Sequence, residues 1–110
     1  MLYTIKAHLP CLYSLDSQSA QDHVSCCYQE IMQLEEKARE KNQFDTQFYW
    51  AIRALYREIR VVSGFMRDHD PGSTSHYFTQ QEQYAIKRIA ECNEVIGFLE
   101  NPVYATPPAQ

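Results

Sequence analysis

Three glycines in 110 residues is a sparse supply, and it argues against a turn-rich β-sandwich or small barrel, whose many tight turns draw on glycine. Long apolar runs are missing too: no stretch approaches the roughly 18 residues of a membrane span. The N-terminal "MLYTIKAHLPCLYSL" is interrupted by Lys6, His8 and Pro10, so no clean signal-peptide core is expected. Basic excess is absent. A formal charge of −4 offers no general attraction to nucleic acid or anionic lipid, so either would need a local basic face. Familiar catalytic signatures are missing as well.

The four cysteines, Cys11, Cys26, Cys27 and Cys92, lack the setting of a secreted disulfide framework. Cys26 and Cys27 are neighbours in a helical stretch, where side chains diverge by about 100° and cannot easily bond each other. Reduced thiols and a cytoplasmic setting, of the producing cell or of a host, are the expectation.

What the sequence does have is three amphipathic repeats. Val24, Cys27, Ile31, Leu34 and Ala38 recur at intervals of three and four. Phe48, Ile52, Leu55, Ile59, Val62 and Met66 do the same, as do Ala85, Ile89, Cys92, Ile96 and Leu99. Each set lies on one stripe of a helix. Capping signals suggest the limits: "SAQD" at 19–22, Asp45, "TQQE" at 79–82, "DPG" at 70–72, and Asn101 before Pro102. The expected fold is all-α: helices near 19–42, 45–68 and 79–100 in an antiparallel three-helix bundle. An N-terminal arm or short extra helix would pack on it. Residues 1–100 would form one domain and residues 101–110 a flexible tail.

Candidate sites are few. His8–Cys11 and His23–Cys26 repeat the same spacing, the two-pair form that suits tetrahedral zinc. The competing interpretation is that the thiols fill core space and the histidines are solvated. The favoured expectation is no cofactor, with a zinc-stabilised binding module as the alternative. Asp68, His69, Asp70 and His76 cluster around "DPG" and read as connector chemistry. Glu91 and Glu94, with Glu35, Glu36 and Glu40, read as solvated faces pairing with arginines. "LENPVY" at 99–104 resembles the turn-forming peptide bound by phosphotyrosine-binding domains, but Asn-Pro here reads better as a helix stop.

The second helix is richer. Tyr49, Arg53, Tyr56 and Arg60 share one face, with Trp50 and Arg57 beside them. Tyr, Trp and Arg are the residue types that dominate protein interfaces, and the same types can stack on bases. The expected function is non-enzymatic: a small helical protein that binds another protein as inhibitor, adaptor, immunity factor or regulatory subunit. Self-association into a homodimer is compatible with this. A nucleic-acid-binding regulator using the same face is the alternative, and no membrane partner is expected.

Overall fold

The structure is a computed structural model that describes residues 11–69 and 75–101. A 3-10 turn, Leu12–Ser14, leads into three helices: α1 Ser17–Lys41, α2 Thr46–His69 and α3 Ser75–Glu100. Among the described residues there is no strand. The protein is an all-α three-helix bundle in which α2 packs against both α1 and α3. Leu12 and Leu15 pack on the core from the N-terminal side. The expectations for residues 1–10 and for the tail beyond Asn101 lie outside the described residues.

Asp16 starts α1. Its extended backbone (φ −97°, ψ 176°) lets the carboxylate accept from the Ser19 N–H at 2.7 Å. Ser19 therefore supplies a donor to the cap, correcting the expectation that "SAQD" holds the cap itself. A carboxylate three residues earlier satisfies an otherwise free first-turn amide. Asn42 ends the helix in the left-handed conformation (φ 51°, ψ 46°), and the Gln43 N–H donates to Ala38 O at 2.9 Å. Asn tolerates that conformation better than most residues with a Cβ. Asp45 caps α2 as expected, accepting from the Phe48 N–H at 2.9 Å.

α3 begins at Ser75, four residues before the expected start. Thr79 is interior, and its hydroxyl donates to Ser75 O at 2.9 Å. The reason is Phe78, which is fully buried and extends the apolar stripe one turn upstream. Burying such a ring contributes roughly 1.5–3 kcal/mol, enough to set where the helix starts.

The stripes expected to form the core are buried at every position but one. Leu99 is 41% exposed; the antiparallel register brings it level with the first residues of α2, beyond which no described helical turn covers it. The register rests on two cross-helix contacts. Arg53 Nη1 donates to Asn93 Oδ1 at 2.7 Å, and Arg67 pairs with Glu82 one end along. Gly64 permits the latter approach, since a Cβ there would lie 2.6 Å from Glu82 Oε2. Tyr28 of α1 joins α3 directly by donating to Gln81 Oε1 at 2.7 Å.

Candidate functional site: the outer face of α2 and the α1–α2 seam

The six α2 residues singled out in the sequence do not share one environment. Tyr56 is 4% exposed and belongs to the core. Its ring meets Tyr28 and Tyr84 edge-on or tilted at 6.4 and 6.2 Å, and the Arg88 guanidinium sits 5.5 Å from its centroid. The Arg88 Nε–H also donates to the Tyr56 hydroxyl at 3.4 Å, a long bond, and its Nη1 reaches Glu91 at 3.2 Å. Burial pushes the Tyr56 hydroxyl up while Arg88 pulls it down, so the phenol stays protonated at neutral pH. Tyr49 is partly buried, packs on the core and lines a cleft of about 110 Å³ with Glu35, Phe44, Phe48, Ile52 and Arg88. Arg53 is engaged by Asn93. Tyr56 is thereby withdrawn from the expected binding face, because α3 lies over that side of α2.

Trp50, Arg57 and Arg60 remain exposed. Trp50, Arg57 and Val61 follow at i, i+7 and i+11, which places them on one stripe with the small residue Ala54 between. Trp50 is 46% and Val61 41% exposed. The α2–α3 register sets Ile86, 44% exposed, opposite Arg60 at the edge of this stripe. Among the described residues, neither Arg57 nor Arg60 has a hydrogen bond or salt bridge. From Thr46 to Gly64, α2 carries Arg53, Arg57 and Arg60 but only one carboxylate, Glu58, which turns toward α1. The result is a locally basic, partly apolar face on an acidic chain.

Glu58 is where the second constellation lies. His23 and Cys27 stand one helical turn apart on α1, and Glu58 of α2 meets them across the seam. Nε2 of His23 lies 3.7 Å from Glu58 Oε1 and 3.7 Å from Cys27 Sγ. All three donor atoms fall within 4.8 Å of one another. Cys27 is fully buried at the base, while the side chains of His23 and Glu58 are each 14% exposed at the mouth. Desolvation lowers the His23 pKa, favouring neutral imidazole. Desolvation, with the carboxylates of Glu58 and Glu30 adding to it, pushes the Cys27 thiol up to about 12. A thiol held there stays protonated at neutral pH.

This trio differs from the four residues of the zinc alternative, His8, Cys11, His23 and Cys26. Cys26 is exposed and Cys11 is exposed beside the 3-10 turn, and neither sulfur joins the His23 cluster. His8 lies outside the described residues. The helical period explains the exchange: i, i+4 puts Cys27 beside His23, and Cys26 is rotated outward. Glu58 carried no motif; its only signal was to be the lone acid in the first nineteen residues of α2. All four thiols are free.

The loop cluster separates into helix ends. His69 Nδ1 lies 2.9 Å from Phe65 O and its ring stacks on Phe65 at 4.1 Å, while Asp68 pairs with Arg67 at 3.0 Å. His76 is exposed in the first turn of α3, and Asp70 lies outside the described residues. Glu91 pairs with Arg88, and Glu36, Glu40 and Glu94 are exposed. No described helix is long and apolar enough to cross a membrane.

The fold and its exposed basic face thus define a small all-α three-helix bundle. No protein-family model matches the chain, and neither does any curated protein or solved structure.

Proposed function

We propose that this protein acts by binding another protein through the outer face of α2, without catalysing a reaction. The observation that carries this reading is the exposed stripe of Trp50, Arg57 and Val61, flanked by Arg60 and Ile86. Large apolar side chains beside unengaged guanidiniums have the composition of an interface hot spot. Trp50 and Val61 lie outside the buried core, and among the described residues the two arginines have no acidic neighbour on the stripe.

Charge indicates the partner's chemistry. A face with arginines and no carboxylate complements an acidic protein surface that offers an apolar slot for Trp50. A regulatory subunit, inhibitor, adaptor or immunity factor would all use such a surface.

The test is a paired-variant capture experiment with extract of the source cells after nuclease treatment. Trp50→Ala with Arg57→Glu should leave the far-ultraviolet helical signal unchanged and remove the captured protein. Retention of the same captured protein by the double variant would contradict the assignment.

A further inference from the structure

We propose that His23, Cys27 and Glu58 form a zinc site at the seam between α1 and α2, with a fourth position open to water. Around a tetrahedral zinc, donors bound at about 2.0–2.3 Å lie about 3.3–3.8 Å from each other. The two measured edges from His23 Nε2, both 3.7 Å, fall in that range. The third edge, from Cys27 to Glu58, is within 4.8 Å.

Cys27 Sγ and His23 Nε2 are joined by no more than a long sulfur hydrogen bond at 3.7 Å. A nitrogen–oxygen distance of 3.7 Å is too long for a hydrogen bond between His23 and Glu58. The three donors surround a common centre at metal-ligand separations, on two helices held together by the core residues Val24, Leu55 and Ile59.

Donor chemistry selects the ion. Thiolate with imidazole and carboxylate is a borderline-soft set that suits zinc and excludes magnesium or calcium, which take oxygen donors. Glu58 brings a carboxylate to the histidine–cysteine pair, which favours an incoming cation. Binding replaces the Cys27 S–H bond with an S–Zn bond and releases one proton to solvent. His23 contributes its Nε2 lone pair. Entry is from the side where His23 and Glu58 reach the surface, leaving Cys27 as the floor. The site is distinct from the Trp50–Arg57–Val61 stripe, so either assignment can fail alone.

Cobalt(II) reports the site directly, because a cobalt–thiolate bond gives a near-ultraviolet charge-transfer band. Chelator-treated full-length protein titrated with Co²⁺ should bind one ion per chain, develop that band, and lose it on adding zinc. Cys26→Ser should behave as wild type. Cys27→Ser should abolish the band, and His23→Gln and Glu58→Gln should each weaken binding at least tenfold with helical content unchanged. Zinc should raise the Tm of wild type and not of these variants, since only a folded site gains ligand. Absence of the band in wild type, or a band that survives Cys27→Ser or disappears in Cys26→Ser, would overturn the assignment. Should Cys27→Ser fail to fold, the two partly exposed ligands decide: undiminished binding in both His23→Gln and Glu58→Gln overturns it.

Discussion

Arg53 Nη1 donates to Asn93 Oδ1 at 2.7 Å and ties α2 to α3. The bond holds an arginine that would otherwise join the exposed basic face, while Arg57, one helical turn along, is exposed. Arg53→Ala should therefore lower stability slightly, by under about 1 kcal/mol, and leave partner capture intact. Arg57→Glu should do the reverse, with Tm unchanged and capture lost. Thermal melts run beside the capture assay separate the two.

Ser63 is fully buried on α2, and its hydroxyl has no hydrogen-bond partner among the described residues. A desolvated hydroxyl without a partner contributes nothing to offset its lost hydration. Ser63→Ala should be neutral or stabilising by up to about 1 kcal/mol, measured as an unchanged or raised urea midpoint. A loss beyond 1 kcal/mol would mean that the hydroxyl has a partner in solution.

Tyr28 links the two outer helices through its bond to Gln81. Tyr28→Phe removes that bond while keeping the ring contacts to Tyr56 and Tyr84, and should cost about 1 kcal/mol. Phe78→Ala should cost about 3–5 kcal/mol, because it opens a cavity where the first turns of α3 meet the core. Equal losses in the two variants would contradict this ranking.

His23 makes the apo protein sensitive to mild acid. Its folded-state pKa is lowered by desolvation, so protonation favours the unfolded chain. The stabilisation is fully present above the ordinary imidazole value of about 6.5 and is lost as pH falls through that value toward the folded pKa. Glu58 faces His23 across the seam and Cys27 lies one turn along α1 from it; the thiol stays protonated throughout this window. The Tm of metal-free protein should drop between neutral and mildly acidic pH, and His23→Gln should flatten that part of the profile. An identical profile in the variant would remove His23 from the account.

The core was readable from sequence because burial at a helical period is a local signal: Val24 through Ala38 and Phe48 through Met66 fell on their stripes. The start of α3 was not, since Thr79 with Glu82 imitates a cap and only Phe78's burial reveals the extra turn. The α2 face was readable by composition but not by direction. A Tyr/Arg stripe is the same string whether a neighbouring helix covers it, as at Tyr56, or leaves it open, as at Trp50. The His23–Cys27–Glu58 cluster needed the third dimension. Its α1 half was visible at i, i+4 but was masked by the repeated His-x-x-Cys spacing, and thirty-one positions of chain separate Cys27 from Glu58.

The central claim is that the stripe through Trp50, Arg57 and Val61 contacts an acidic protein, and photo-crosslinking at that stripe tests it most directly. A photoreactive residue would replace Ala54, at the centre of the stripe, with Gln33 on the exposed side of α1 as the control position. The account predicts a discrete protein adduct at position 54, absent at position 33, resistant to nuclease and eliminated by Arg57→Glu with Arg60→Glu. Equal labelling at both positions, an adduct that nuclease removes, or one that consists only of a second copy of this chain would contradict it.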